Sequence, residues 1–301
     1  MKGGSRIAAL GFWAGWAFLW LIPERLVAKI FRAAADFCWR RQLQGVRQLQ
    51  LNLSRVLNLA EEHETVRAVA REGMRRYMRY YYEIFLLLRW SRETIKAKVR
   101  VENDEPVIAA LKSGGVILTL PHSGNWDLAG AWATLTYGTV ATVAERLKPE
   151  LIFRKFLQMR TELGMNILPL TGETGIYEFL RQEVSAGHVV PLLGDRDVAQ
   201  NGMGNSFFGS RASLPVGAAV LALDTGLPLF TCSTWYDNDV LVITFDEPVP
   251  VPSEVAVGRG RLKQAQEITA VIATRFENHI RNHPEDWHML QPVWNDLVVP
   301  K

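Results

Sequence analysis

Cysteine is scarce in this sequence, with only Cys38 and Cys232 among 301 residues. The two form no Cys-x-x-Cys pair and no cluster with histidine, so neither a disulfide framework nor a structural zinc site is expected. This usage fits a reducing, cytosolic environment. The low apolar content typical of disordered chains is also absent, because 48% of the residues are hydrophobic. A chain of this length and composition can bury a sizeable core.

Several catalytic sequence motifs are missing as well. No Gly-x-Ser-x-Gly elbow occurs, and no serine or cysteine nucleophile stands in a recognisable frame, which argues against a covalent hydrolase. No Walker loop, no Gly-x-Gly-x-x-Gly after a strand and no His-Glu-x-x-His is present, so these nucleotide-binding and zinc-protease classes have no support. The sequence therefore predicts no metal ion and no resident cofactor, and nucleic acid is not among the expected partners.

One apolar run dominates the N-terminus, residues 7–22, which read IAALGFWAGWAFLWLI. These sixteen residues fall short of the ~20 that a membrane-spanning helix needs. Lys2 and Arg6 resemble the basic start of a secretory signal peptide, but the run is rich in tryptophan and lacks an Ala-x-Ala-like cleavage site. A true span is therefore the less favoured interpretation, and a segment that lies on the membrane surface is preferred.

The charge distribution supports a membrane-surface role for this end of the chain. Residues 1–100 carry 19 Lys and Arg against 8 Asp and Glu, a net charge of +11, whereas residues 101–301 carry 15 against 23, a net −8. After Pro23, helical periodicity is interspersed with the cations Arg25, Lys29, Arg32, Arg40 and Arg41. Tryptophan and cations beside an apolar helix favour an anionic membrane, each cation adding about 1 kcal/mol. The alternative is that these helices pack on the protein's own core or present a solvated face.

The pattern along the chain predicts the fold class. Helical spacing continues over 42–92, including a run with Tyr77, Tyr80, Tyr81 and Tyr82 that packs in a core more often than it lines a groove. From residue 95 onward, apolar strand-like runs alternate with helical segments, which predicts an α/β fold with a mostly parallel central sheet flanked by helices. We expect one domain over 1–301, with a helical, membrane-facing region at 1–95 and an α/β core at 96–301. Within that core, 212–226 is predicted as a helix.

A histidine follows one of the predicted strands. The apolar run VILTLP at 116–121 has the character of a parallel strand covered on both faces, and the chain then reads HSGNWD. His122 should therefore lie at the mouth of the sheet, and Gly124 permits a tight turn that brings Asp127 to the same cleft. A histidine can take a proton near neutral pH, and a nearby carboxylate can fix its tautomer. By spacing alone this signal is weak, since a core histidine is the commoner case.

Charged residues follow a second predicted strand. Asp195, Arg196 and Asp197 in GDRDV should emerge at the same edge of the sheet as His122, where they are either used or paired as salt bridges. The loop NSFFGSRASLP at 205–215 carries Phe207 and Phe208, which could wall an apolar substrate channel or simply pack. A base without an evident enzyme nucleophile indicates activation of the substrate's own hydroxyl, in acyl or phosphoryl transfer without a covalent enzyme intermediate.

Four ordered segments over roughly 100–294 carry a family resemblance: GGVILTLPHSGNWD, GETGIYEFLRQEVSAGHVVPLLGDRD, NSFFGS and HPEDWHMLQPVW. They resemble the His-x4-Asp/Glu motif, the helix–strand–Asp-x-Asp segment, the Phe-Phe-Gly loop and the His-Pro-x-x-Trp motif of the bacterial lysophospholipid and lipid A biosynthesis acyltransferase superfamily. The HSGNWD and DWHMLQ spellings look most like the actinobacterial phosphatidylinositol mannoside acyltransferases. Together the four matches are far more specific than any one alone.

The resemblance implies a glycerolipid-acyltransferase-like αβα fold on the cytoplasmic face of the plasma membrane. It implies acyl-CoA as co-substrate, with palmitoyl as the acyl group, and a mannose hydroxyl of phosphatidylinositol mannoside as acceptor. The site residues that it implies are His122 as general base, Asp127 as motif carboxylate, Asp195 as the group that orients His122, and Glu145 and Arg160 as further polar positions. Arg196, Asp197, Phe207 and Phe208 complete the candidate substrate-binding residues, while His283 and His288 are interpreted as structural.

Two rival functions remain open at this point. One is acylation of a lipid A precursor from acyl carrier protein, for which residues 25–55 could provide a basic docking patch. The other is a non-catalytic lipid-binding membrane protein, in which the basic N-terminus is the function and His122 is structural.

Overall fold

A computed structural model describes residues 19–146, 148–170 and 174–299. Its first part is helical: α1 (Glu24–Arg40), α2 (Gln44–Leu57), α3 (Glu64–Leu87) and α4 (Arg92–Ala97). Strands and helices then alternate: β1 (Val99–Glu102), α5 (Glu105–Leu111), β2 (Val116–Leu120), α6 (Trp126–Thr136), β3 (Val140–Ala144), α7 (Glu150–Glu162), β4 (Met165–Pro169), α8 (Ile176–Ser185) and β5 (Val189–Leu193). The chain ends through β6 (Met203–Phe207), β7 (Ser210–Leu214), α9 (Gly217–Thr225), β8 (Leu229–Asp237), β9 (Val240–Pro248), α10 (Arg259–Asn282) and a 3₁₀ turn at Pro284–Asp286.

A seven-stranded sheet organises the α/β part, with the order β1-β9-β8-β2-β5-β3-β4. Only the β8–β9 pair in this sheet is antiparallel, while the other neighbours run parallel. The prediction of a mostly parallel central sheet flanked by helices is therefore confirmed. Short hairpins cannot join parallel strands, so each crossover needs a helix that covers a face of the sheet.

The register of the central strands determines where the candidate site forms. All five residues of β2 are buried, because helices cover both faces of the strand. Ile117 packs into the apolar cluster on one face, and Leu118 and Leu120 pack into the cluster on the other. Leu120 of β2 pairs with Leu193 of β5. His122 and Asp195, each two residues beyond this pair, therefore follow the two strands at the same edge of the sheet.

In the helical N-terminal part, α1 contacts α3 through charged side chains. Asp36 of α1 accepts hydrogen bonds from Arg71 and Arg75 of α3, each at 3.1 Å. Another face of α1 keeps Leu26, Ile30 and Phe37 roughly half exposed, at 49%, 46% and 57%. No helix within the described ranges is long and apolar enough to cross a membrane. The apolar run 7–22 lies mostly outside the described residues, so its placement on the membrane stays a prediction.

The segment around 203–214 differs from the prediction. We expected a loop at 205–215 and a helix from residue 212, but β6 and β7 form an antiparallel hairpin and α9 begins only at Gly217. Phe208 and Gly209 make the two-residue turn, with φ of 51° and 72°, as the twist of a tight hairpin requires. Ala212 and Leu214 are buried while their neighbours are exposed. This two-residue period favours a strand over the helix that we expected.

Candidate active site

His122 and Asp195 meet at the carboxyl edge of the sheet, as the pairing of β2 with β5 dictates. The Nδ1 atom of His122 lies 2.5 Å from Oδ1 of Asp195, and the backbone N–H of His122 donates to Oδ2 at 2.9 Å. Trp287 donates its indole N–H to the same Oδ2 at 2.8 Å. Asp195 is fully buried, whereas 16% of the His122 side chain is exposed. The imidazole is therefore fixed by a buried carboxylate and still reaches the cleft.

This arrangement determines the chemistry available to His122. Burial of Asp195 favours its neutral form, but the charge and hydrogen bonds of His122 and the Trp287 N–H outweigh burial and hold the pKa of Asp195 below its ordinary value. The carboxylate accepts the proton on Nδ1, so Nε2 is the basic nitrogen of the neutral ring. A histidine held in this way can remove a proton from a hydroxyl in the cleft.

Asp127 takes a different partner. Its two oxygens accept hydrogen bonds from Nε and Nη2 of Arg160 on α7, at 2.5 and 3.0 Å. Tyr80 of α3 donates its hydroxyl to Oδ2 at 2.8 Å. Burial opposes the charge on Arg160, but the ion pair prevails and raises the pKa of the guanidinium above its ordinary value. His122 and Asp127 thus line the same cavity without sharing a hydrogen bond, and the carboxylate on the His122 ring belongs to Asp195.

The turn between His122 and α6 is held by several elements of the fold. Asn125 caps α6 by accepting from Leu128 N–H at 2.9 Å and donates at 2.8 Å to the buried carboxylate of Glu83. Gly124 has a φ of 55°, and an added Cβ atom would lie 2.7 Å from the backbone of Thr234. Only glycine fits this turn. Helix α3 therefore braces the second half of the motif, through Glu83 on Asn125 and through Tyr80 on Asp127.

Two backbone N–H groups of this turn are already used. Ser123 donates to the carbonyl of Pro121 at 2.8 Å, and Gly124 donates to the carbonyl of Asp286 at 2.9 Å. Neither group is free to stabilise a developing oxyanion. Arg160, by contrast, lines the cavity with a guanidinium that Asp127 engages only through Nε and Nη2.

A cavity of about 260 Å³ opens at His122 and extends between α6 and the sheet. Its interior is lined by apolar side chains of the central strands, among them Leu118, Leu120, Val189 and Leu193. Polar groups are concentrated toward the mouth, where Glu145 accepts from Arg196 at 2.9 Å and Tyr77 and Tyr81 share a hydrogen bond of 3.0 Å. A long apolar interior that ends at a base suits a substrate with a hydrocarbon chain and a reactive head.

Comparisons with known proteins identify the family of this chain. The bacterial lipid A biosynthesis acyltransferase family matches the chain over residues 5–296. The chain belongs to that family. It is 35% identical over 293 residues to the phosphatidylinositol mannoside acyltransferase of Mycolicibacterium smegmatis, covering 97% of this chain and 92% of that protein. It is 36% identical over 293 residues to the phosphatidylinositol mannoside acyltransferase of Mycobacterium tuberculosis H37Rv, covering 93% of this chain and 86% of that protein. The resemblance drawn from the four motifs is confirmed.

Three candidate residues of this acyltransferase lie outside the lining of the cavity that the described residues form. Asp197 accepts from the backbone N–H groups of Asn201 and Gly202 and from the hydroxyl of Ser213, so it holds the loop before β6. Phe207 and Phe208 are buried and contact the rings of Trp287 and Trp294. Of the two possibilities for these phenylalanines, packing is the one observed.

His288 contributes more to the site of this acyltransferase than the sequence suggested. Its backbone N–H donates to the carbonyl of His122 at 2.7 Å, and its Nε2 donates to the carbonyl of Gly124 at 2.9 Å. Burial lowers the pKa of His288 to about 3, so the ring is neutral.

Glu83, which also supports the motif, was missed because its partners lie far away in sequence. Trp287 had a signal in the His-Pro-x-x-Trp segment, and Tyr80 had one in the tyrosine run that we expected to pack in a core. Three tyrosines of that run, Tyr77, Tyr80 and Tyr81, line the cavity.

A group of side chains that could ligate a metal ion lies next to the turn that follows His122. His283, Glu285 and Asp286 offer atoms within 4.8 Å of one another. Arg76 Nη1 lies 3.7 Å from Asp286 Oδ1, so a fixed positive charge already faces these residues. Because that charge would repel a metal ion, we assign no metal to this group.

Asp286 predicts a pH-dependent stability for the acyltransferase. Burial raises the pKa of its carboxyl to about 7, against the smaller lowering effect of Arg76. An aspartate in the unfolded chain has a pKa of about 3.9, so between about pH 4 and 7 the unfolded chain releases this proton before the folded one does. Stability from Asp286 is then present at low pH and is lost as pH rises toward 7. We expect the free energy of unfolding of wild type, relative to Asp286→Asn, to fall by a few kcal/mol over this range.

Urea unfolding at a series of pH values measures this difference. Asp239→Asn is a suitable control, because the side chain of Asp239 is fully exposed, and this variant should parallel wild type throughout. A constant difference between wild type and Asp286→Asn from pH 4 to 7 would contradict the assignment.

Proposed function

We propose that this acyltransferase moves a fatty acyl chain, palmitoyl, from acyl-CoA to a mannose hydroxyl of phosphatidylinositol mannoside. The observation that carries the proposal is the His122–Asp195 pair at the mouth of the apolar cavity. The family supports acyl transfer, and the mycobacterial relatives, which are named phosphatidylinositol mannoside acyltransferases, support this acceptor. The cavity would hold the acyl chain, and the reactive thioester carbonyl would lie beside His122.

The proposed reaction proceeds by direct transfer. Nε2 of His122 removes the proton from the sugar hydroxyl as the hydroxyl oxygen attacks the thioester carbonyl, and a new C–O bond forms. The tetrahedral intermediate then collapses, the C–S bond breaks, and the imidazolium returns the proton to the CoA thiolate. Asp195 stabilises the imidazolium throughout, as a carboxylate on Nδ1 does. Such positioned proton transfer typically contributes 10²–10⁴-fold.

Arg160 is the favoured group to donate a hydrogen bond to the oxyanion or to a nearby phosphate of acyl-CoA. Its Nε and Nη2 are fixed by Asp127, which leaves Nη1 for a substrate oxygen. A guanidinium held rigid in a buried site stabilises developing negative charge without reorganising. Asp127 is thus a positioning residue for Arg160 in this proposal.

The acceptor would approach from the polar mouth and the membrane. Glu145 and Arg196 form a half-exposed ion pair there, and both side chains can hydrogen-bond to sugar hydroxyls. The half-exposed apolar residues of α1 and the cations around them suit the surface of an anionic bilayer. We propose that the protein binds the cytoplasmic face of the plasma membrane peripherally, so that lipid acceptor and acyl donor reach the cavity together.

An acyl-transfer assay tests this proposal. Purified protein is incubated with palmitoyl-CoA and phosphatidylinositol mannoside, a lipid A precursor, or no acceptor, and both free CoA and product mass are measured. We expect one added acyl group on the mannoside alone. Turnover only on the lipid A precursor would replace the acceptor. A parallel series with palmitoyl-acyl carrier protein tests the donor, and turnover only in that series would replace acyl-CoA. Lipid binding without turnover in any tube would contradict the proposal and favour a non-catalytic lipid-binding protein.

A further inference from the structure

The last part of the described chain, residues 286–299, runs from the His122 turn to helix α2, and we call it the C-terminal strap. Its first residues pair with the turn through the backbone. The N–H of Gly124 donates to the carbonyl of Asp286 at 2.9 Å, and the N–H of His288 donates to the carbonyl of His122 at 2.7 Å. The position of the turn therefore depends on where the strap lies.

The strap also holds the carboxylate that pairs with His122. Trp287 is fully buried, and its indole N–H donates to Oδ2 of Asp195 at 2.8 Å. Consecutive residues of the strap, Trp287 and His288, thus contact Asp195 and His122. A shift of the strap would move both members of the pair.

Asn52 of α2 holds the strap directly after these contacts. Its side chain is fully buried, and its amide Nδ2 donates to the carbonyls of Met289 and Gln291, both at 2.8 Å. Met289 follows His288 in the chain, so the Asn52 contact lies one residue from the contact with the catalytic turn. Buried carbonyls that lost this donor would remain unpaired, which is costly.

A second amide of α2 holds the far end of the strap. Gln48 lies one turn before Asn52 on the same face of the helix. It donates to the carbonyl of Leu297 at 2.8 Å and accepts from the N–H of Val299 at 3.0 Å. It also donates to Oδ1 of Asn52 at 3.1 Å. Both N–H groups and the oxygen of the Asn52 amide are therefore engaged, which fixes its orientation.

These amides lie in an interface that is otherwise apolar. Leu49 and Leu53 of α2 are fully buried, as are Met289 and Trp294 of the strap. Apolar burial holds two elements together but is non-directional. A buried polar network in which every member is satisfied is rigid and specifies one arrangement. Asn52 therefore determines where the backbone of the strap lies, which apolar packing alone would leave less defined.

We infer that Asn52 is a positioning residue for the catalytic base, and that it acts through the strap to hold His122 and Asp195 in the geometry that proton transfer needs. The inference rests on the proposed function, because it takes His122 as the base. Asn52 is not among the described residues that line the cavity, so it has no direct role in substrate binding. A displacement of about 1 Å at a reacting group can cost on the order of 100-fold in rate.

The test replaces Asn52 by leucine, which has a similar size and no hydrogen-bond donor. For Asn52→Leu we expect kcat to fall on the order of 100-fold. The KM for acyl-CoA should stay within a few-fold of wild type, because the residues that line the cavity are unchanged. Asn52→Ser keeps one donor and is the milder variant, which should show the same effects in weaker form.

Gln50→Met is the matched control. Gln50 is a buried residue of the same helix, and its Nε2 donates to the carbonyl of Glu61 at 3.0 Å, away from the strap. This variant also removes an amide-to-backbone hydrogen bond of α2, but its kcat should stay within a few-fold of wild type. Urea unfolding measures the stability of each variant. If kcat falls in proportion to stability in both Asn52→Leu and Gln50→Met, the role of Asn52 is only structural and the inference is wrong.

Nuclear magnetic resonance of protein with ¹⁵N-labelled histidine gives a readout that does not need turnover. The Nδ1 proton of His122 lies in a short hydrogen bond of 2.5 Å to Asp195, so it should resonate at low field, and its loss in His122→Ala identifies it. We expect this resonance to shift or disappear in Asn52→Leu and to stay in Gln50→Met. His279, whose Nε2 lies 2.9 Å from Asp246, is the internal reference and should not change.

The two readouts distinguish failure of the inference from failure of the proposed function. If wild type transfers no acyl group but Asn52→Leu loses the His122 resonance, the proposed function fails and the positioning role stands. If wild type is active and Asn52→Leu keeps the resonance of wild type, the inference is wrong and the function stands, whether or not kcat falls. Circular dichroism verifies that each variant is folded.

Discussion

His122→Ala should lose about 10³-fold or more of kcat while the protein remains folded. The imidazole is the only group that the site provides to remove the hydroxyl proton in our proposal, and its side chain is partly exposed at the cavity mouth. Truncation therefore removes the base without opening a large buried void. Steady-state turnover with saturating donor and acceptor measures the loss, and circular dichroism verifies the fold.

The matched control for this prediction is His188→Ala. His188 also places Nδ1 against a carboxylate, that of Glu183 at 2.8 Å, but it does not line the cavity. This variant should keep turnover within a few-fold of wild type. Asp195→Asn should lose much of the same rate, and the double variant with His122→Ala should be no slower than His122→Ala alone, because the two residues act as a unit. Independent, multiplicative losses would contradict the pairing.

Arg160→Ala should cost about 3 to 5 kcal/mol of unfolding free energy, in addition to its effect on turnover. The side chain of Asp127 is 2% exposed, and Arg160 is its charged partner. Removing the guanidinium leaves a buried carboxylate that Tyr80 alone cannot neutralise. Urea unfolding followed by fluorescence gives the free energy.

Two further variants separate the charge effect from lost packing. The double variant Arg160→Ala with Asp127→Asn should recover part of the stability, because no buried charge remains. Arg181→Ala removes an exposed ion pair, in which Arg181 and Glu178 are 46% and 47% exposed, and it should cost less than about 1 kcal/mol. An Arg160→Ala cost no larger than that of Arg181→Ala would show that Asp127 does not depend on this cation.

The fold could be predicted from the sequence wherever a local pattern had a single physical explanation. The run VILTL is apolar at four of its five positions and buried at all five, and a strand of that kind needs helices on both faces, which implies a parallel sheet. The hairpin at 203–214 was mispredicted for the opposite reason. Alanine and leucine at 212–214 suit a helix by propensity, and only packing against the core imposed the two-residue period.

The candidate site, too, was predictable from the sequence in part. The position of His122 at the end of a strand, the glycine in its turn and the four family motifs were present in the sequence, because each is a local feature. The family resemblance also implied that Asp195, 73 residues away, orients His122. No local pattern indicated that Tyr80, 47 residues away, donates to Asp127. The spacing of five residues from His122 places Asp127 in the same cleft, yet its carboxylate forms an ion pair with Arg160.

By itself, then, the sequence determined an α/β chain with a histidine presented at the sheet edge and membership in a lipid acyltransferase family. The tertiary structure decided that Arg160 and Tyr80 pair with Asp127, and that a cavity runs beneath α6. The physical reason is that periodicity and turn chemistry act between near neighbours in the chain. Strand register and the packing of a helix on a sheet join residues that no local pattern links.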